Sequence, residues 1–148
     1  MKISAKLLTL YAAHVRLMNS LQDILLLILR LYFGYRFFRA GWGKLQNIPE
    51  IVEYFSSLNI PYPLINAYLA SITECVGGLC LLVGFASRIV TIPLVFTMII
   101  AYITADHEAV INIFYDPDQF LKAEPFLFML SSLIILFFGA GKFSLVRI

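Results

Sequence analysis

The sequence predicts an all-α fold, an integral membrane four-helix bundle, from its composition, its apolar segments and its missing alternation. Of its 148 residues 61% are hydrophobic and only 14% charged, whereas a soluble domain averages about 45–50% apolar and roughly 25% charged. Mean hydropathy is +0.87. Four long apolar segments approach the roughly 20 residues with which a helix crosses about 30 Å of hydrocarbon. The period-2 alternation of a membrane β-barrel is absent. Such a composition excludes a disordered chain, a nucleic-acid-binding module and a water-soluble enzyme. A net charge of +2 is too small to mark an anionic partner.

Residues 1–20 imitate a signal peptide, with Lys2, Lys6 and then Leu7–Ala13. The apolar stretch is short and Arg16 follows it, so no cleavage is expected. Leu7, Leu10, Tyr11, Val15 and Met18 share one helical face, which predicts a short interfacial helix on the inner leaflet. The first transmembrane helix is expected over 23–41. In the loop after it, Asn47 can N-cap, and Pro49 and Glu50 suit a first turn. Ile48, Ile51, Val52, Phe55 and Leu58 form a stripe, and Pro61 and Pro63 end the element, a second short interfacial helix over the outer face. Further transmembrane helices are expected over 62–85, 88–105 and 121–141. The last reaches spanning length only by borrowing residues around Phe120–Glu124 or Ala140–Phe143. With no linker, low-complexity segment or repeat, the chain reads as a single membrane domain over 1–148.

Lysine and arginine set the expected orientation. Lys2, Lys6, Arg16, Arg88, Lys142 and Arg147 fall on one side, where Asp23 is the only acid. Lys44 and Lys122 fall on the other, among Glu50, Glu53, Asp106, Glu108, Asp116, Asp118 and Glu124. The bias places both termini in the cytoplasm in a multi-pass arrangement. Cys75 and Cys80 lie five residues apart, a rotation of roughly 140° on a helix, so a disulfide between them is not expected.

Charges at membrane depth cost about 2.5–3.5 kcal/mol each on insertion scales. Counted from the inner helix ends, Arg30 and Glu74 come out level, beside a stripe of small residues (Ala67, Ala70, Ser71, Gly77, Gly78) that lets helices approach. An intramembrane Arg30–Glu74 ion pair is therefore expected, either fixing helix register or handling protons or substrate. Arg36, Arg39, Lys44, Asp106, His107 and Glu124 gather toward the outer helix ends, as a candidate polar pocket or as ordinary interfacial charges. Trp42 and several tyrosines near those ends read as an aromatic belt. His14 and His107 are expected on opposite sides of the membrane, so no metal or haem site is expected. Nor is there a G-x-S-x-G, a Walker loop or a dinucleotide fingerprint.

Four motifs together resemble the DoxX family of small four-helix membrane proteins. The first is Arg30 and Gly34 with the run Phe38 to Leu45 (FRAGWGKL). The second is Glu74, Gly77, Gly78 and Gly84 with Arg88; the third is Ala101-Tyr102, Asp106-His107-Glu108 and Glu124. The fourth is Gly139 to Leu145 (GAGKFSL), where Val146 stands in place of the family's frequent aspartate. The resemblance covers about Arg30 to Leu145. It implies a bundle in a bacterial inner membrane, with Arg30, Lys44, Glu74, His107 and Glu124 at motif positions and no assigned catalytic residue. The family takes its name from association with thiosulfate:quinone oxidoreductase.

Three functions stay open on the sequence. One is a membrane redox subunit binding quinone or a sulfur substrate in the outer pocket. The chain shows no intrinsic electron carrier, so quinone would be its redox partner, and a redox protein would dock on the outer face. The others are a non-catalytic scaffold for another protein and a proton or small-solute conduit through Arg30 and Glu74. The lipid bilayer is the partner common to all three, and oligomeric state is not legible.

Overall fold

A computed structural model describes residues 5–145; Lys2, Val146 and Arg147, invoked above, lie outside the described residues. Seven helices and no strand occur among the described residues. The order is α1 (Ala5–Gln46), α2 (Ile48–Ser57), α3 (Pro63–Val83), α4 (Ser87–Thr104), α5 (His107–Ile111), α6 (Pro117–Lys122) and α7 (Glu124–Phe138). Three of them, α1, α3 and α4, are long and apolar enough to cross a membrane. The fourth, α7, is apolar but has only 15 residues, about 22 Å of helix.

The first helix differs from expectation. The N-terminal amphipathic stretch is not a separate interfacial element; it runs unbroken into the first span as one helix of 42 residues. No glycine or proline occurs between Ala5 and Phe33, so nothing in the chain interrupts the hydrogen-bond ladder. The last helix differs in the other direction. Ala123 is extended (ψ 139°) ahead of Pro125, and Gly139 has φ +85°. These two breaks trim the expected 121–141 to Glu124–Phe138.

The second interfacial helix forms as expected. Ile48 is buried, Ile51, Val52, Phe55 and Leu58 are half-buried, and the residues between them are mostly exposed. Asn47 occupies the N-cap position without capping, because its side-chain amide donates backwards to the Gly43 carbonyl at 3.2 Å. Pro61 and the left-handed Tyr62 (φ 48°) then turn the chain into α3.

Glycine decides how the bundle pairs. A Cβ on Gly78 would lie 2.6 Å from the Gly34 carbonyl oxygen and closer still to the Phe38 amide. One on Gly41 would lie 2.6 Å from the Ser71 carbonyl and closer to the Cys75 amide. The antiparallel pair α1–α3 thus touches backbone to backbone, as small residues allow between membrane helices. Helices α4 and α7 form the second close pair. Phe37, Leu81, Leu94, Met98, Phe128 and Ile135 fill the core between the pairs.

Candidate functional site

Two buried charged groups are held inside the bundle, at opposite ends of it. At the end where α1 terminates, the Lys44 ammonium donates to both carboxylate oxygens of Glu74, at 2.6 and 2.8 Å. Glu74 is 2% exposed, while the Lys44 side chain is 32% exposed. The Gly41 contact brings the last turn of α1 against α3, so the lysine reaches the carboxylate from the next turn. Glu124, at the start of α7, is close enough to act on Glu74 electrostatically. On α4, Tyr102 donates its hydroxyl to the Phe120 carbonyl at 2.9 Å and stacks on the Phe120 ring, tying α6 to α4.

At the other end Arg30, 1% exposed, makes no ion pair with Glu74. Its Nε donates to the Leu81 carbonyl at 3.0 Å, and its Nη1 donates to Ala140 at 2.6 Å and Phe143 at 3.1 Å. Leu81 belongs to the last turn of α3, whose carbonyls have no donor within the helix. Ala140 and Phe143 follow α7. The guanidinium therefore closes the end of one helix and binds the segment after another, where cationic groups are favoured. Gly84 leaves room for it, since a Cβ there would meet the guanidinium, 2.8 Å from Cζ. Asp23 completes the clasp, accepting from the Lys142 backbone N–H at 3.1 Å and pairing with its ammonium at 3.0 Å. Arg88 donates to the Phe137 carbonyl at 3.4 Å.

The expected Arg30–Glu74 pair is thus corrected. Glu74 is seven residues before Leu81 on α3, about 10 Å along the axis. Level depths followed from counting each helix from its own assumed inner end. The true register follows from Gly41 on Ser71 and Cys75 and from Gly34 on Gly78, and it sets Glu74 near Lys44. With separate partners, Arg30 and Glu74 form no direct relay.

The six residues of the expected outer pocket do not share one cavity. Lys44 turns in to Glu74. Arg36 is exposed, with its Cζ 5.7 Å from the centre of the Phe128 ring on α7. Arg39 turns to Tyr35, whose hydroxyl accepts from Nη1 at 3.3 Å. Asp106 lines an open cleft of about 630 Å³ with Glu108, Asp116, Asp118 and Lys122. His107 and Glu124 are exposed at the first residues of α5 and α7. Among the described residues, no group of three or more His, Cys, Asp or Glu side chains is gathered to hold a metal ion.

Two features escaped sequence reasoning. One is Lys44 as the partner of Glu74; the signal was the glycine spacing, Gly34 and Gly41 against Gly78, which fixes helix register. The other is the role of residues 139–144. Gly139 and Gly141, both at positive φ (85° and 72°), turn the chain so that backbone carbonyls meet Arg30.

A family model described as DoxX matches residues 25–107, which include Arg30, Lys44, Glu74 and His107 but not Glu124. Among curated relatives, CatD of Bacillus subtilis, provisionally named an oxidoreductase, is 34% identical over 62% of this chain and 67% of its own length. Two Escherichia coli proteins named as inner membrane proteins also match. YqjF is 31% identical over 48% of this chain and 53% of its own length, and YphA 27% identical over 53% and 56%. The chain thus spans about two thirds of the first of these relatives and about half of the other two. No solved structure matches the chain.

Proposed function

Because the chain belongs to the DoxX family, we propose that it is a multi-pass protein of a bacterial inner membrane and the quinone-binding subunit of a redox system. Arg36 is the observation that carries this reading. It lies ten residues from the end of α1, about 15 Å into the helix. There it makes no hydrogen bond or ion pair with the described residues, only the ring contact with Phe128. An unmatched guanidinium at such depth costs free energy that a carbonyl or oxyanion ligand would recover. A quinone carbonyl suits its N–H groups, and Tyr32, 57% exposed one turn earlier on α1, supplies aromatic surface for the ring. A sulfur oxyanion presents the same acceptor chemistry to Arg36 without needing the aromatic wall. The provisional name of CatD and the inner-membrane names of YqjF and YphA agree with this reading.

In the proposed arrangement α7 is the fourth span, both termini are cytoplasmic, and the loops carrying α2, α5 and α6 face outward. The positive-inside bias supports that orientation. Electrons would come from a partner protein on the outer face.

The test is lipid and quinone mass spectrometry on protein purified from quinone-containing membranes, followed by titration with quinone and with thiosulfate. Arg36→Ala should reduce bound quinone at least tenfold with helicity unchanged, while Arg39→Ala should leave it unchanged. Wild-type protein that carries no quinone and gains none on titration would overturn the proposal. Saturable binding of thiosulfate alone, lost in Arg36→Ala, would assign the site to a sulfur oxyanion instead.

A further inference from the structure

Helix α1 is twice as long as the membrane needs. Its 42 residues make about 63 Å of helix, against about 30 Å of hydrocarbon. The bundle sets where the surplus lies. Within α1, Leu26, Arg30, Gly34, Phe37 and Gly41 are the buried residues, and Asp23 binds the segment that closes the inner end. Residues 5–22 therefore project beyond the bundle, about 27 Å past the level of Asp23.

The projecting stretch is amphipathic in a particular way. Leu7, Tyr11, His14, Met18, Leu21 and Leu25 follow one another at alternating intervals of four and three residues, and every one is exposed. Leu10 and Leu17 border this line and are 68% and 56% exposed. Thr9, Arg16 and Ser20 occupy the opposite side, with Lys6 and Asn19 on its two flanks and Leu8, 55% exposed, off the line. An alternating 4–3 spacing is the repeat of a coiled-coil seam. A helix lying on a membrane surface carries a similar stripe, so the straight course of α1 past Asp23 decides between the two. The seam continues into the membrane segment through Ile28, on the side of α1 away from its buried face.

Lipid covers apolar side chains within the bilayer, but not those on a helix that leaves it. To lie flat on the membrane surface the helix would have to break near Asp23, and it runs unbroken there, with no glycine or proline to interrupt it. A second copy in the same membrane carries the same seam in the same orientation and at the same height. Leu7, Leu10, Tyr11, Leu17, Met18, Leu21, Leu25 and Ile28 are each 41–68% exposed. At ordinary residue areas they present roughly 800 Å² per chain, so two copies approach the total of a standard specific interface, about 1,600 Å². We propose that the protein forms a parallel dimer through α1, its two N-terminal halves joined as a coiled coil beyond the inner end of the bundle. A two-fold axis along the membrane normal relates the copies.

Single-cysteine variants of the full chain in native membranes test this, after Cys75→Ala and Cys80→Ala have been shown to keep the parent's helicity. Oxidation should cross-link Tyr11→Cys and Met18→Cys to a dimer at least fivefold more than Ala12→Cys and Asn19→Cys. Leu21→Glu should abolish cross-linking at Met18→Cys with bundle helicity unchanged, because position 21 lies outside the bundle, while Asn19→Glu should not. Photobleaching of labelled protein at low density in vesicles should show two steps. Equal cross-linking at all four positions, single-step bleaching, or more than two steps would overturn the proposal. So would quenching by brominated lipid of a fluorophore at position 18, which would place the segment on the membrane surface.

Discussion

Removing one member of the Lys44–Glu74 pair should destabilise the bundle by an amount that depends on which member goes. Breaking a buried ion pair costs about 3–5 kcal/mol, because the remaining charge is stranded. Glu74 is enclosed at 2% exposure and takes two hydrogen bonds from Lys44, whose own side chain is 32% exposed. Lys44→Ala leaves an enclosed carboxylate without its cation, and the low end of that range, about 3 kcal/mol, is expected. Glu74→Ala leaves a lysine that can swing its ammonium toward the headgroups, so about 1–2 kcal/mol is expected. The double variant should lose about 1–2 kcal/mol less than the sum. The assay is thermal unfolding in one detergent, followed by circular dichroism. At about 2–4 °C per kcal/mol, Lys44→Ala should lower Tm by about 6–12 °C. Arg30→Ala with Glu74→Gln is the control, and those two effects should add within about 0.5 kcal/mol. A strictly additive Lys44–Glu74 cycle, or a Lys44→Ala protein that melts like the parent, would refute this reasoning.

Gly41→Ala should lower stability by at least about 2 kcal/mol, since its Cβ would fall among the backbone atoms of Ser71 and Cys75. Gly43→Ala meets nothing within 4 Å and should be neutral or stabilising by up to about 1 kcal/mol, so parallel melts of the two variants check the glycine contact. Arg30→Met should free the Ala140 and Phe143 carbonyls, Leu81 keeping the Gly84 N–H at 3.2 Å, and should speed hydrogen exchange in residues 139–144 with a loss of at least about 2 kcal/mol; unchanged protection there would show that the guanidinium does not hold this segment. Cysteines introduced at Ser57 and Asp118 should react with an impermeant reagent in intact cells, while one at Ser144 should not; external labelling at 144 would overturn the four-span arrangement.

Membrane class, helix type and the approximate positions of α3, α4 and α2 were legible in the chain, because each depends on local composition and period. The stripe of Ile48, Ile51, Val52, Phe55 and Leu58 needed no tertiary knowledge to be recognised as a buried face. Arg30 and Glu74 also stood out, since burying a charge is expensive in any fold. Their partners did not. Which carboxylate meets which cation depends on helix register, and register is set where Gly34, Gly41 and Gly78 let two backbones touch. A count of residues from assumed helix ends carries errors of a turn or more, enough to replace Lys44 by Arg30. The continuity of α1 and the shortness of α7 likewise turned on backbone geometry at single residues, an uninterrupted ladder in one case and breaks at Ala123 and Gly139 in the other. Arg30 shows the division most plainly. Its burial could be read from its neighbours in the sequence, but its acceptors are main-chain carbonyls of Leu81, Ala140 and Phe143. Every residue carries a carbonyl, so no side-chain pattern marks these three, and only the folded chain brings them to the guanidinium.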